Sequence, residues 1–305
     1  MKLVFFGTPT PAAYVLEKLA KHHEIVGVVT GEDQIIGRKK TLTESAVSKF
    51  AGSLNIPTLK PSTLKNSDEV RTWLQDRSAD IFIVVSYGKI LPIDIITIPK
   101  YKTLNIHYSL LPKYRGASPI QAALLNGDKA TGTTIFELEA GLDTGPIYTQ
   151  DKLEISPEDT YATLEPKLTE LSTKSLLSVL ENITAVKISS KAQDHTAATY
   201  CEIIHKQDGV IDWNKSAEQI YNQWRAYVVW PETYTTYKNQ IFKIKKCRVS
   251  GEKTSSLTGT VLAGGRIACG EGTILELIEV QPAGKNPMTI TAFLNGNKDF
   301  IGSRL

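Results

Sequence analysis

The amino-terminal two thirds of the chain alternate short apolar runs with helix-like stretches, and this alternation constrains the fold more than any other feature. The runs at residues 3–6, 25–29 and 81–85 have the length and apolar character of buried strands. The stretch that follows GTP at residues 7–9 places apolar residues at helical spacing. Strands and helices that alternate in this way favour a parallel sheet covered by helices.

The same alternation continues through the middle of the chain. Residues 103–107 and 133–138 are predicted strands, a helix is predicted between them at 119–125, and a long leucine pattern predicts a helix at 160–180. The layout is Rossmann-like. The first strand-to-helix turn lacks a G-x-G-x-x-G fingerprint, so a dinucleotide site is not indicated.

The last third of the chain has a different character. Apolar residues become sparse at 188–207, which indicates a linker, and short β-like runs follow a predicted helix at 216–227. Several short strands in about 75 residues are typical of a small barrel. We therefore predict a Rossmann-like parallel-sheet domain at 1–187, a linker at 188–207 and a small OB-like β-barrel domain at 208–305.

Length and composition exclude several classes of protein. The chain has 305 residues, which suits two domains, and no run approaches the roughly 18 apolar residues of a membrane helix. The amino-terminal apolar run is too short for a signal peptide. Cys201, Cys247 and Cys269 lie far apart, which indicates neither a disulfide framework nor a zinc site. We expect a cytoplasmic protein without a metal.

Basic charge is concentrated in the last third of the chain. The formal net charge is only +3, but residues 206–305 contain 13 lysines and arginines against 9 acidic residues. A solvated surface and a nucleic-acid contact both account for such an excess.

The stretch NIHYSLLPKYRG at residues 105–116 holds the strongest candidate site. In a strand that ends at His107, the side chains of Asn105 and His107 point to the same side. They lie at the strand's carboxyl end, where open parallel sheets bind ligands. A later turn, GLDTG, offers the carboxylate of Asp143. An asparagine, a histidine and an aspartate are thus expected to converge.

This trio suits attack on a carbonyl by a nucleophile that the substrate supplies. An amide and an imidazolium both donate to a developing oxyanion, and an aspartate holds the imidazole charged or relays a proton. Ser109 has no G-x-S-x-G turn around it, so serine hydrolase chemistry is not indicated. In the alternative interpretation, Asn105 caps a loop, His107 is a buried polar residue and Asp143 belongs to an ordinary turn.

Motifs along nearly the whole chain resemble one family. They are FFGTP at 5–9, SYGKILP at 86–92, NIHYSLLPKYRGASPIQ at 105–121, GLDTG at 141–145, QPAGK at 281–285 and GSRL at 302–305. The chain resembles the methionyl-tRNA formyltransferase family, in which the N-x-H, SLLP and later Asp pattern is shared by folate-dependent formyltransferases.

The resemblance implies a reaction and a set of residues. The donor would be 10-formyltetrahydrofolate, and the acceptor would be the α-amine of methionine on initiator tRNA. Asn105 and His107 would stabilise the tetrahedral oxyanion, while Asp143 would keep His107 charged and oriented and help to move the amine's proton. The folate-contacting residues implied are Gly88, Ile90, Leu91, Ser109, Leu110, Leu111, Pro112, Leu138 and Gly141.

The resemblance also implies a tRNA surface. Arg38, Lys39 and Lys40 lie in a loop similar to the basic insertion that meets the acceptor end of the tRNA. Independently of the resemblance, Lys243 and Lys245 share one face of a predicted strand, where lysines either bind tRNA phosphates or protect a soluble edge strand; the basic excess favours binding. The expected partners are initiator methionyl-tRNA and the folate cosubstrate, without a membrane, for a monomeric enzyme.

Three other functions stay open from the sequence. A formyltransferase for an amino sugar nucleotide would use the same trio. A formyltetrahydrofolate hydrolase would use water as acceptor and would need no basic second domain. A non-catalytic tRNA-binding protein would leave the trio without a role.

Overall fold

The computed structural model describes residues 1–36, 41–183 and 188–305. These residues divide into two units, each with a hydrophobic core of its own. Unit 1 comprises Met1–Pro119, Ala130–Glu154 and Glu165–Cys201, and unit 2 comprises Ile120–Lys129, Ile155–Leu164 and Glu202–Leu305.

Seven strands of unit 1 form one sheet, in the order β10-β9-β7-β6-β1-β2-β5. The strands of unit 1 are β1 (Lys2–Gly7), β2 (Glu24–Val29), β3 (Gln34–Ile36), β4 (Thr41–Thr43), β5 (Thr58–Leu59), β6 (Ile81–Val85), β7 (Lys102–His107), β8 (Arg115–Gly116), β9 (Ala130–Glu137), β10 (Ile147–Glu154) and β11 (Tyr200–Cys201). In the part of the sheet with the order β5-β2-β1-β6-β7, each strand pairs in parallel with its neighbour, which confirms the predicted parallel sheet. The pairs β7–β9 and β9–β10 are antiparallel, so the sheet is mixed at this edge.

Helices cover the sheet and connect its strands. The α-helices up to residue 183 are α1 (Thr10–Leu19), α2 (Ala46–Ser53), α3 (Asp68–Asp76), α4 (Ile93–Ile96), α5 (Pro119–Leu125) and α6 (Tyr161–Ile183). Ala12, Val15, Leu16 and Leu19 are fully buried at helical spacing in α1. Within the described ranges, no helix has the length and apolar character needed to cross a membrane.

The parallel pairing of β6 with β7 places the carboxyl ends of these strands side by side. Val84 pairs with Asn105, and Val85 pairs with Ile106. All five residues of β6, IFIVV, are buried, so both faces of this strand are covered, as is typical of parallel sheets. The loops after Val85 and after His107 therefore leave the sheet at the same edge.

Unit 2 is built around an antiparallel sheet with the order β12-β13-β16-β15-β14, and β17 pairs with β16. Its elements are α7 (Ala217–Tyr227), β12 (Thr233–Tyr237), β13 (Gln240–Val249), β14 (Val261–Leu262), β15 (Arg266–Ala268), β16 (Ile274–Pro282), β17 (Met288–Thr289) and α8 (Ile290–Gly296). The predicted carboxyl-terminal β domain is confirmed, and the strands of its sheet pair antiparallel. The sequence pattern did not indicate α8.

An aromatic cluster forms much of the core of unit 2. Phe242 and Phe300 are almost fully buried, and their ring centroids lie 5.3 Å apart. Phe293 lies 5.0 Å from Phe242 and 5.2 Å from Phe300. Burying one such side chain stabilises a fold by about 1.5–3 kcal/mol. The cluster ties α8 and the carboxyl-terminal turn to β13.

The stretch before β11 belongs to unit 1, although it lies within the predicted linker. Lys191 forms an isolated antiparallel bridge with Ile147. Residues 200 and 201 pair in parallel with residues 115 and 116, as strands β11 and β8. This part of the chain therefore lies against the loop that follows the NIH motif.

Candidate active site

The carboxyl end of β7 presents Asn105 and His107 on one face, as the alternation of strand side chains requires. Asn105 lies opposite Phe136 of β9, and His107 lies opposite Thr134. The imidazole is almost fully buried, whereas Asn105 is half-buried. The Asn105 amide makes no hydrogen bond with any other residue in the described part of the chain. Its donor and acceptor are available to a ligand.

A backbone carbonyl orients the ring of His107. The ring atom Nε2 lies 2.7 Å from the carbonyl oxygen of Tyr114. A carbonyl oxygen only accepts hydrogen bonds, so Nε2 carries a proton and donates it to this oxygen. Phe136 packs at a right angle to the ring, with centroids 6.4 Å apart. The nitrogen left for chemistry is therefore Nδ1.

Asp143 faces that nitrogen. Its Oδ2 lies 3.7 Å from His107 Nδ1, which is an ion-pair distance but too long for a direct hydrogen bond. The same oxygen accepts a hydrogen bond of 2.8 Å from the backbone N–H of Gly116. Asp143 has φ +51°, a left-handed conformation that aspartate tolerates better than most residues. The structure thus brings the predicted histidine and aspartate together.

Side chains from 193–201, which no sequence pattern indicated, support this arrangement. Gln193 donates from Nε2 to the carbonyl oxygens of Asp143 and Gly145, at 2.8 Å each. Thr199 Oγ1 accepts a hydrogen bond of 2.9 Å from the backbone N–H of Tyr114. These contacts join residues 48 to 85 positions apart, so no local pattern could have revealed them.

The two side chains of this region that could act as nucleophiles are not activated. Ser109 is almost fully buried, and its hydroxyl donates to the carbonyl oxygen of Lys113 at 2.5 Å. Burial raises the pKa of the Cys201 thiol, and the charge of Asp143 adds to this effect, although the N–H of Ser118 opposes it. A raised pKa disfavours the reactive thiolate. The site is better suited to a nucleophile on the substrate.

The predicted folate residues lie in the loops at 86–92 and 109–112 and in the segment 138–141 that follows β9. Gly88 and Ile90 are exposed, and Ile90 retains 89% of its accessible surface. Leu91 is buried in a hydrophobic cluster against which Leu138 packs. The exposed Gly141 begins the GLDTG turn.

The loop after β7 is tied to β9 through one threonine. Thr134 Oγ1 donates to the carbonyl oxygen of Ser109 at 2.7 Å and accepts from the N–H of Leu111 at 3.2 Å. Leu111 is buried, while Leu110 and Pro112 are half-buried. The predicted residues Ser109 to Pro112 thus form an ordered loop beside the trio.

The predicted tRNA residues have two different outcomes. Arg38, Lys39 and Lys40 lie outside the described residues. Lys243 and Lys245 both contact the carboxylate of Glu232, and Lys245 Nζ lies 2.5 Å from Glu232 Oε1. Burial opposes ionisation of Glu232, but the hydrogen bonds from the two lysines prevail and lower the pKa of the carboxyl. No sequence pattern indicated this acidic partner.

No cluster of three or more His, Cys, Asp or Glu side chains able to hold a metal ion occurs among the residues that the structure describes. The polar groups at the end of β7 are an amide, an imidazole and one carboxylate. Such a set can bind a carbonyl oxygen and move a proton.

Two family models match the chain. The model described as formyl transferase matches residues 1–180, and the model described as formyl transferase, C-terminal domain, matches residues 203–298. Together they span both units.

Solved structures share the fold at low identity. An N-formyltransferase from Helicobacter canadensis, in complex with folinic acid and dTDP-3-aminofucose, aligns with a TM-score of 0.67 and 20% identity, over 91% of this chain and 99% of that one. HypX from Aquifex aeolicus, in complex with tetrahydrofolic acid, aligns with a TM-score of 0.64 and 14% identity, over 99% of this chain and 48% of that one.

Relatives along the full length are more similar in sequence. The methionyl-tRNA formyltransferase of Caldicellulosiruptor saccharolyticus is 41% identical, over 98% of this chain and 97% of the relative. That of Sulfurihydrogenibium sp. is 38% identical, over 100% of this chain and 99% of the relative. With both family models matched and such identity along its whole length, the chain belongs to the methionyl-tRNA formyltransferase family.

Proposed function

We propose that the chain transfers the formyl group of 10-formyltetrahydrofolate to the α-amine of methionyl initiator tRNA and so supplies formylmethionyl-tRNA for translation initiation. The observation that carries this proposal is the 38–41% identity with methionyl-tRNA formyltransferases along the whole chain. The trio at the end of β7 supplies chemistry that fits formyl transfer to an amine.

A sugar acceptor is the main alternative. A sugar 3N-formyl transferase, solved with dTDP and 5-N-formyl-THF, aligns with a TM-score of 0.69 but only 20% identity. Identity at this level supports a shared fold and no shared acceptor. A direct competition between methionyl-tRNA and an amino sugar nucleotide tests the choice, and we expect formyl only on the tRNA. Formylated sugar would refute the proposed acceptor.

The donor is proposed from the folate ligands of the structural relatives together with the shape of the site. Folinic acid and tetrahydrofolic acid occur in the relatives described above. The loops at residues 86–92 and 109–112 leave the sheet at the edge where Asn105 and His107 lie. We place the pterin at the first of these loops and the formyl group above the second.

Chemistry begins with the neutral amine of methionine. Its lone pair attacks the formyl carbon, a new C–N bond forms, and the carbonyl oxygen becomes an oxyanion. The Asn105 amide and the protonated Nδ1 of His107 donate to this oxyanion. Because Tyr114 already occupies Nε2, Nδ1 is the ring atom assigned to this role.

Collapse of the tetrahedral intermediate breaks the bond between the formyl carbon and N10 of the folate. The attacking amine must lose a proton, and N10 must gain one. Asp143 lies 3.7 Å from His107 Nδ1, so it stabilises the charged imidazole and accepts the proton on its way to N10. In the part of the chain that the structure describes, Asp143 Oδ1 makes no hydrogen bond, so this oxygen is available to the amine.

Bulk at Gly88 is expected to block the folate pocket. Gly88 has φ +82°, and a Cβ there would meet no atom within 4 Å, so a large side chain can occupy the space that we assign to the pterin. Gly88→Trp should raise the dissociation constant for the folate at least about tenfold, as measured by titration. Gly88→Ala carries the same backbone strain without the bulk and should weaken binding much less. Equal affinity for both variants and the parent would place the pterin elsewhere.

Charge reversal at Lys243 and Lys245 is expected to weaken tRNA binding. Each lysine that neutralises a phosphate contributes nearly one unit to the slope of log affinity against log salt. The double variant K243E/K245E should raise KM for tRNA and reduce that slope by about 1 to 2, with KM for the folate unchanged. The matched control is K253E/K298E, which reverses two exposed lysines of the same unit.

Glu232 provides the opposite test of the same surface. Its single carboxylate pairs with both lysines and offsets one of their two positive charges, so tRNA phosphates must compete with it. Glu232→Gln should strengthen tRNA binding and steepen the salt slope. If neither the charge reversal nor Glu232→Gln changes the slope, this face does not bind tRNA.

Two further parts of the proposal concern the tRNA loop and the state of the enzyme. We propose that Arg38, Lys39 and Lys40 bind the acceptor end of the tRNA. We also propose a cytoplasmic location, which the three free cysteines fit, and a monomer, because Asn105, His107 and Asp143 meet within a single copy of the chain.

A further inference from the structure

A distant side chain clamps the loop that carries Asp143. Gln193 uses both hydrogens of its amide nitrogen, one for the carbonyl oxygen of Asp143 and one for that of Gly145, each at 2.8 Å. These two carbonyls lie on either side of Thr144. A single buried amide therefore holds the loop on both sides of that residue.

The other end of the amide is held by a buried arginine. Gln193 Oε1 accepts from Arg115 Nη2 at 2.6 Å and from Nε at 3.2 Å. Arg115 is only 2% exposed, and its Nη2 also lies 3.0 Å from His195 Nδ1. A guanidinium only donates and a carbonyl only accepts, so just one orientation of the Gln193 amide satisfies all four contacts.

These contacts close a ring through the peptide that joins Arg115 to Gly116. Asp143 is bound at its carbonyl oxygen by Gln193, Gln193 is bound by Arg115, and the next residue, Gly116, donates its N–H to Asp143 Oδ2 at 2.8 Å. The backbone and the carboxylate of Asp143 are thus tied to two adjacent residues of β8. We therefore expect a change at any one of these contacts to affect the position of the carboxylate.

We propose that Gln193 is a positioning residue for the reaction, one that sets the place of the Asp143 carboxylate beside His107. This inference rests on the proposed formyl transfer. Gln193 touches no substrate in this scheme, and its effect passes entirely through Asp143. The alternative is that Gln193 only satisfies buried polar groups and stabilises unit 1.

Two variants separate these roles. Gln193→Ala removes both sets of contacts, whereas Gln193→Glu keeps an acceptor for Arg115 and loses the donor to the Asp143 and Gly145 carbonyls. A displacement of a catalytic group by about 1 Å costs on the order of a hundredfold. We expect kcat to fall about tenfold to a hundredfold in both variants, with KM for the folate changed less than about threefold. The loss of kcat in Gln193→Glu should equal that in Gln193→Ala, even if the melting temperature of Gln193→Glu stays near that of the parent.

A double-mutant cycle with Asp143→Ala distinguishes a positioning role of Gln193 from a purely structural one, because the two roles predict different values of kcat for the double variant. If Gln193 acts only through Asp143, adding Gln193→Ala to Asp143→Ala should lower kcat no further. Independent effects would multiply, because changes at uncoupled sites add in free energy. The matched control is Asp194→Asn, which alters the neighbouring exposed residue whose described contacts are with Thr196.

The assay follows both formylmethionyl-tRNA and tetrahydrofolate. Parent enzyme that makes no formylmethionyl-tRNA would refute the proposed function. If the parent enzyme transfers formyl normally, two results would overturn the role of Gln193. One is a folded Gln193→Glu variant with unchanged kcat. The other is a double variant whose loss of kcat equals the product of the two single losses. A reduced kcat with no further loss in the double variant is the result expected.

Discussion

Replacement of His107 by alanine is expected to lower kcat about 100- to 1000-fold, because it removes a donor to the oxyanion. The imidazole is nearly buried at the carboxyl end of β7, and Nδ1 faces Asp143 at 3.7 Å. Single-turnover formation of formylmethionyl-tRNA at saturating folate measures the loss. KM for tRNA should change little, since the ring does not lie on the basic surface of unit 2.

A second variant separates chemistry from support of the fold. Loss of the contact from Nε2 to the Tyr114 carbonyl costs about 1 kcal/mol of stability. Gln at position 107 carries an amide N–H that can donate to this carbonyl, so His107→Gln should be more stable than His107→Ala and equally slow. His22→Ala, at an exposed histidine of unit 1, is the control. Near-normal turnover of a folded His107→Ala variant would refute the mechanism.

A single methyl group at Gly116 is expected to lower kcat about a hundredfold, although Gly116 has no side chain of its own. Gly116 has φ +113°, and a Cβ there would lie 2.2 Å from the carbonyl oxygen of Cys201. Backbone must move to relieve this overlap, since neither atom belongs to a flexible side chain. The movement separates β8 from β11 and withdraws the N–H that holds Asp143 Oδ2.

Hydrogen exchange and turnover together test this expectation. Gly116→Ala should increase amide exchange at residues 115–117 and lower kcat in parallel. Gly52→Ala is the matched control, because a Cβ there meets nothing within 4 Å and alanine favours the helix. If Gly116→Ala retained parental turnover, the N–H of Gly116 would not be needed to place Asp143.

Local patterns predicted the parts of the fold that depend on buried, regular segments. Helix α5 coincides with the predicted 119–125, and β6 with the predicted 81–85. Helix α5 is an apolar stretch of helical length, and β6 is an unbroken run of five apolar residues, so both give a clear signal in a single sequence. Strand β10 escaped prediction because it lies at a sheet edge, and its sequence IYTQDKLE is mostly polar.

The residues of the candidate site that lie together on one strand were predicted. The residues that reach the site from distant parts of the sequence were not. Asn105 and His107 share a strand, so their common face followed from alternation. Gln193 lies in a stretch predicted as a linker, and its partner Arg115 is 78 positions away. Nothing in the polar sequence around Gln193 indicates burial, because that burial arises from contacts with β8 and the GLDTG turn.

The ion pairs of the basic surface likewise could be predicted only in part from the sequence. Alternation placed Lys243 and Lys245 on one face of a strand, and both reach the same carboxylate. The partner Glu232 lies in the turn before β12, at a positive φ of 68°. The count of charges in the last third of the chain indicated a basic surface. It could not indicate that two of its lysines share one glutamate carboxylate.

A single-turnover assay with 10-formyltetrahydrofolate and two charged tRNAs tests the central claim most directly. Initiator and elongator methionine tRNAs, both carrying methionine, are offered separately to excess enzyme. We predict formylmethionine on the initiator tRNA, at a rate well above that on the elongator tRNA. Consumption of the folate without formylmethionine on either tRNA would contradict the account and assign the acceptor role to water or to another amine.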